Sequence, residues 1–262
     1  MTVLVKHHSL LPYYIVLKDG FRRGGFSPLQ VVSSLLLPLI SIAGFIFFFS
    51  YLLHPGSTAH SLTPEILRYF FFILVVSSVN IPRFSDAIGH DIISEDYLNT
   101  DKQPLDPFAA YFLRSVGQHT IVLFILGTTT LGYFARTGSS WPFLVLLPCA
   151  ILCAFTLLHL IFFNIGMAHF FYAQFRTSIF TFIFDFLSGR VIPLMYFPNN
   201  IALLLSFLPF AYAFGAIARH FSQQNIWPLL GSLGVSLLWI VALHRFSRYL
   251  WNKGSNYYQE HG

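Results

Sequence analysis

Eleven histidines, two cysteines and ten acidic residues are what this chain has for chemistry, and their spacing limits what that chemistry can be. Histidine and cysteine make a metal centre or an acid–base pair only where several converge. Here His7 and His8 open the chain, His54, His60 and His90 stand far apart, and His119, His159 and His169 fall in or beside apolar runs. No HExxH or similar grouping occurs. Bringing His159 to His169 would need a turn, and the usual alternative for such a histidine is a hydrogen bond to a neighbouring helix. Cys149 and Cys153, at i and i+4, share a helical face inside an apolar run with no histidine or carboxylate close by, so they read as packing residues. The absence of GxSxG removes the nucleophile elbow of a serine hydrolase. The absence of GxxxxGK[ST] removes a phosphate-cradling loop. The pattern predicts no catalytic residue, no metal site and no cofactor in this chain.

One charged grouping needs a separate reading, because a charge at the centre of a membrane helix costs about 2.5–3.5 kcal/mol and persists only with a partner or at an edge. Arg176 and Asp185 bracket a short apolar run, and Arg190 follows. An Asp185–Arg190 pair holding the junction after that run is the structural expectation. A proton or substrate site is the functional alternative.

The elements that must position these residues follow from composition. The chain has 262 residues, 55% hydrophobic and 18% aromatic with only 10% charged, and a mean hydropathy of +0.66. That apolar content marks an integral membrane protein. A spanning helix needs about 20 apolar residues to cross about 30 Å of hydrocarbon. Candidate spans lie near 29–53, 66–81, 111–134, 141–163, 177–187 and 226–246. Between the last two, Pro193, Pro198 and Pro209 cut the apolar stretch that follows Ser188, Gly189 and Arg190. A piece such as Ile201 to Leu208 would reach only about 12 Å. Such backbone survives at membrane depth only against protein or water, so a re-entrant hairpin over 193–219 is expected.

Lysine and arginine near span ends collect on the cytoplasmic side. Six spans place eleven of the fifteen basic residues inside and leave Arg68, Arg136, Arg190 and Arg219 outside. A seventh span would send Arg245, Arg248 and Lys253 to the far side from the basic N-terminus. The fold expected is therefore an all-α integral membrane protein of six transmembrane helices, with an extracellular re-entrant helical hairpin before the last span and cytoplasmic N- and C-termini. About 28 mixed residues precede a first run long enough to remain as a span, so no cleaved signal peptide is expected. The net charge of +5 is a topology signal and implies no nucleic-acid partner.

Residues 1–28 mix Lys6, Lys18, Arg22 and Arg23 with Leu10, Leu11, Tyr13, Tyr14 and Ile15, which suits an interfacial helix. A plain basic flank is the alternative. Residues 29–262 form a single transmembrane domain. Its longest polar interval, 82–108, carries Asp86, Asp91, Glu95, Asp96, Asp101 and Asp106 against Arg83 and Lys102. Ile88, Ile92 and Ile93 recur among these acids at helical spacing and predict a short amphipathic helix with an apolar edge for a soluble partner. A solvated loop is the alternative. Tyr51, Tyr69, Tyr133, Trp141, Tyr196, Trp227, Tyr249 and Trp251 fall near span ends as headgroup-level anchors. Among 31 phenylalanines, the runs Phe47–Phe49 and Phe70–Phe72 suit either a path for a hydrophobic or cationic aromatic compound or lipid-facing packing.

Three places carry a resemblance. Phe186-Leu187-Ser188-Gly189-Arg190-Val191-Ile192-Pro193-Leu194, then Phe197-Pro198, then Phe207-Leu208-Pro209-Phe210-Ala211-Tyr212 are one. Leu250-Trp251-Asn252-Lys253-Gly254 with Tyr257-Tyr258 is another. Asp91-Ile92-Ile93 through Lys102-Gln103-Pro104-Leu105 is the third. Together they resemble the permease subunits of type-2 ATP-binding-cassette exporters, the small kind encoded beside a separate ATPase. Glu95 departs from the family, standing where a glycine is usual, and Lys102-Gln103 replaces its Leu-Arg before the proline.

The resemblance implies a multi-pass protein of a bacterial cytoplasmic (inner) membrane with no bond chemistry of its own. ATP and Mg would sit on partner ATPase subunits bound to the loop between spans 2 and 3, and a second permease, identical or related, would face this one across the bilayer. The coupling segment would comprise Asp86, Ile88, Asp91, Ile92, Ile93, Glu95, Asp96 and Tyr97. Lys6–Phe26 would be an interfacial elbow, and Pro193–Arg219, with Ser188, Gly189 and Arg190, an outer gate. The competing classes are an intramembrane or lipid-modifying enzyme and a structural subunit of a larger membrane complex.

Overall fold

The computed structural model describes residues 10–24, 64–78, 81–101, 105–175 and 198–261, with single residues within 32–47 and 180–197. Among the described residues the chain is helical with no strand. An N-terminal helix, α1 (Leu11–Gly24), is followed by α2 (Pro64–Ser77), α3 (Ile81–Ile93) and α4 (Tyr97–Asp101). Two long helices come next, α5 (Pro107–Arg136) and α6 (Trp141–Gly166), the second continued by a 3-10 turn, Met167–Phe170. Three short helices, α7 (Asn199–Leu205), α8 (Pro209–Ala213) and α9 (Gly215–Ser222), precede the long C-terminal α10 (Ile226–His261).

Local chemistry sets these boundaries. Asp106 caps α5 by accepting from the Ala109 N–H (3.3 Å), and Pro107 sits in the first turn, where a missing N–H costs nothing. Gly138, with φ of 75°, lets the chain reverse before Ser140 and Trp141 start α6. Pro198 is the N-cap of α7 and Pro209 opens α8. These prolines therefore start helices as well as interrupt the apolar stretch. The longest of α7, α8 and α9 has eight residues, about 12 Å, and none can cross about 30 Å of hydrocarbon.

Among the described residues, three helices are long and apolar enough to cross a membrane: Pro107–Arg136, Trp141–Phe170 and Ile226–Glu260. They correspond to the expected spans at 111–134, 141–163 and 226–246. Helix α2, expected over 66–81, covers 14 residues, about 21 Å, and is shorter than a span on its own. Most of 29–53 and 177–187 lies outside the described residues.

Helix α6 is the hub. It touches α2, α3, α5, α8, α9 and α10, and Ala150, Ala154, Leu157, Leu158, His159 and Leu160 on it are fully buried. A helix apolar all round belongs in such a central place. Trp141, Trp227 and Tyr249 are exposed as anchors should be, whereas Tyr69 and Trp251 are core residues. The run Phe70–Phe72 is occupied in packing: Phe72 stacks on Phe221 (5.7 Å) and Phe71 on Tyr133 (4.3 Å).

Candidate functional site

At one end of the bundle the start of α5, the end of α6 and the last third of α10 meet the α3–α4 segment. Tyr97, the first residue of α4, is buried and packs edge-on against Phe170 (5.1 Å), Trp251 (6.2 Å) and Tyr258 (5.9 Å). Trp251 stacks on Phe163 (5.9 Å, 12° between planes). A side chain on Gly254 would strike the Phe170 ring at 2.6 Å, so α10 approaches this cluster through its glycine. Tyr97 and the stretch 250–258 are thus joined in one aromatic core.

Helix α3 lies tight on α6 and the 3-10 turn. A Cβ on Gly89 would meet the His169 ring at 2.5 Å, and one on Gly166 would meet Ile88 Cβ at 3.0 Å. This close approach turns Ile88 and Ile92 inward, each fully buried. The expected apolar docking edge is therefore corrected: two of its three isoleucines face the chain's own core, because glycines on both sides let the helices close over them. Tyr97 is likewise a core residue. What α3 and its following turn show outward is Asp86, His90, Ile93, Ser94, Glu95 and Asp96.

The acids divide between two tasks. Asp91 is tied internally, accepting from Tyr111 Oη (2.8 Å) with Arg114 Nη1 at 3.9 Å. Asp106 accepts from Arg248 Nε (2.7 Å) and has His244 Nε2 at 3.9 Å, which fastens α10 to the start of α5. Asp86, Glu95 and Asp96 are exposed, Asp96 accepting from Ser94 Oγ (3.1 Å). Glu95 has φ of 64° in the turn between α3 and α4, a left-handed conformation that glycine adopts without penalty.

Helix α1 crosses α5 beside this region. A Cβ on Gly20 would run into the Arg114 backbone and one on Gly117 into the backbone of Leu17 and Phe21, so the two helices touch main chain to main chain. Neither glycine had a signal beyond its small size. The pairing needs the tertiary crossing.

Deeper in the bundle, Asp185 and Arg190 form an ion pair, Arg190 Nη1 donating to Asp185 Oδ1 at 2.7 Å, and the neighbouring Phe184 packs edge-on against Phe162 of α6 (5.0 Å). The guanidinium also lies 5.9 Å from the Phe214 ring centre. Ser188 is buried, and its carbonyl accepts from the Gly215 N–H (2.9 Å), which joins this junction to the start of α9. Gly189 and Pro193 lie outside the described residues.

Arg68, which the sequence placed only by side, clamps the end of the bundle where α5 and α9 finish. It donates to Thr137 O (2.7 Å) and Oγ1 (3.2 Å) and to Ser222 O (3.4 Å), carbonyls at the C-termini of α5 and α9, where a cation suits the helix dipoles. The Gln224 carboxamide oxygen accepts from Arg68 (2.9 and 3.0 Å) and from Ser139 Oγ (2.9 Å), and Gln224 is held at φ of 52°.

The three buried histidines among the described residues are all hydrogen-bonded. His159 Nε2 is 3.0 Å from Ser115 Oγ, and its Nδ1 is 2.8 Å from Phe155 O. His119 Nδ1 is 2.9 Å from Ser115 O, and His169 Nδ1 is 2.9 Å from Gly166 O. These are the helix-to-helix and local hydrogen bonds expected of buried histidines. Among the described residues no three metal-ligating side chains converge. A groove of about 360 Å³ between α5 and α6 is apolar; its Thr128 hydroxyl donates to Phe124 O (2.8 Å). Cys149 and Cys153 are free thiols on α6.

No family model matches this chain, and no curated protein matches it.

Proposed function

We propose that this chain is the membrane-spanning permease subunit of an ATP-driven exporter, moving a substrate out of the cytoplasm when coupled to a separate cytoplasmic ATPase. In this reading six helices cross the inner membrane, both termini lie in the cytosol, and α7–α9 form the outer re-entrant hairpin. A second permease, identical or related, packs against this one. The observation that carries the reading is the junction of Tyr97, Phe170, Trp251 and Tyr258. It anchors the α3–α4 segment rigidly on the ends of α6 and α10 while Asp86, Glu95 and Asp96 stay exposed. A partner pressing on that acidic face moves two long helices directly.

ATP closure of the ATPases would displace α3, and the displacement would pass through Gly89 on His169 and Gly166 on Ile88 into α6. The Asp185–Arg190 pair and, at the far end, the Arg68 clamp would hold the hairpin until α6 and α10 shift. Affinity purification from native membranes, with the co-purifying proteins identified by mass spectrometry, tests the proposal. The wild type brings the ATPase down, and Asp86→Arg/Asp96→Arg loses it without a change in the permease's own elution volume. An ATPase that never associates, or one indifferent to these substitutions, overturns the coupling assignment.

A further inference from the structure

Helix α1 shows a stripe outward, apart from the exposed Tyr13 on its other side. At about 100° per residue, Leu11, Tyr14, Ile15, Lys18 and Arg22 fall on one face, with Gly20 on the other. All five are exposed, the three apolar ones by 61%, 57% and 55%. On the opposite face the main-chain contact of Gly20 with Arg114, and of Gly117 with Leu17 and Phe21, prevents the helix from rolling. The orientation of the stripe is therefore set by the crossing. Lys18 Nζ lies 5.7 Å from the Tyr14 ring centre, at the boundary between the apolar and basic parts. Asp19 is half-buried and lies off this face.

We propose that this stripe binds the headgroups of anionic lipids in the cytoplasmic leaflet, with Lys18 and Arg22 on the phosphates and Leu11, Tyr14 and Ile15 in the acyl boundary. Charge complementarity selects the occupant, since both charges on the face are positive and the apolar side chains beside them suit the depth just beneath a headgroup. A free phosphate would use the two cations but leave the apolar side chains in water. The proposal rests on the exporter topology, which puts α1 at the cytoplasmic face. It also gives leaflet charge a route to the docking segment, because the Arg114 backbone under Gly20 belongs to the residue whose guanidinium lies 3.9 Å from Asp91 of α3.

The test is native mass spectrometry of the full-length protein titrated with a phosphatidylglycerol and, separately, a phosphatidylcholine of the same chains. Each basic residue at a membrane surface contributes about fivefold in affinity, so Lys18→Gln/Arg22→Gln should lower the preference for phosphatidylglycerol by about 30-fold. The thermal midpoint in detergent should not change. A preference that persists in this variant overturns the proposal, as does an equal loss in a Lys253→Gln/Arg245→Gln control or displacement of the lipid by millimolar inorganic phosphate. Labelling of Lys18→Cys with an impermeant maleimide, in a Cys149→Ala/Cys153→Ala background, separates the two readings. Labelling from outside the cell sinks the topology, whereas labelling from the cytosol with no lipid preference sinks the lipid proposal alone.

Discussion

Replacing Ile88 and Ile93 separately by glutamate distinguishes a residue that builds the proposed docking segment from one that it displays. Ile88 is fully buried, with Gly166 against its Cβ. Loss of its apolar burial costs about 2–3 kcal/mol. A buried glutamate with an ordinary pKa of about 4.3 must also take up a proton at pH 7, about 2.7 pKa units at 1.36 kcal/mol each, or about 3.7 kcal/mol. The total of about 6 kcal/mol matches the whole stability of a marginal domain. Ile93 is 48% exposed, and glutamate there should cost about 0.5 kcal/mol or less. Fluorescence-detected size-exclusion of detergent extracts reads the first effect, and retention of the ATPase reads the second. Ile88→Glu should aggregate or fail to accumulate; Ile93→Glu should elute as wild type and bind the proposed ATPase partner more weakly. An Ile88→Glu protein with wild-type elution and thermal midpoint would refute the inward orientation of α3.

Three further outcomes are expected. Glu95→Gly relieves the left-handed strain of about 1–2 kcal/mol less the entropy cost of glycine, about 0.5–1 kcal/mol; a thermal midpoint raised by about 1–3 °C, with no such gain in Glu95→Ala, is the check. Gly117→Ala places a Cβ 2.8 Å from Phe21 N and 3.1 Å from the Gly20 carbonyl carbon, backbone atoms that cannot rotate away. It should lift α1 off α5 at about 1–3 kcal/mol, read as faster tryptic cleavage at Lys18 and Arg22, and unchanged cleavage would contradict the crossing. Arg68→Ala leaves the carbonyls of Thr137 and Ser222 without their charged donor, a loss of about 1.5–3 kcal/mol per charge-assisted bond. Arg68→Lys should recover only part of the lost thermal stability, since an ammonium cannot match the guanidinium fork; full recovery would mean that charge alone matters there.

The Asp185–Arg190 contact shows what is legible locally. Two opposite charges five residues apart at the edge of an apolar run have little choice of partner, and they meet at 2.7 Å. The brokenness of 198–222 is legible too, because a proline without an N–H limits helix length wherever the chain goes. The acid count in 82–108 said nothing of which acids would be occupied. Asp91 and Asp106 found partners 20 and 142 residues away, Tyr111 and Arg248, and no spacing rule reaches that far.

By itself the sequence determined that this protein is helical and built for a membrane, since apolar content and run length are sums over neighbouring residues and the cost of an unsatisfied backbone in hydrocarbon is the same for every fold. It also determined where helices begin and stop, through Asp106, Pro198 and Pro209 acting on their own turns. Only the tertiary structure decided which way α3 faces, that Tyr97 and Trp251 are core residues, and that Gly20 meets Gly117. The physical reason is that an amphipathic helix specifies an apolar face without naming what covers it. Glycines at Gly89, Gly117 and Gly166 let particular helices approach closely, at Gly117 to main-chain contact and at Gly89 onto the His169 ring, and that choice depends on shapes distant in sequence.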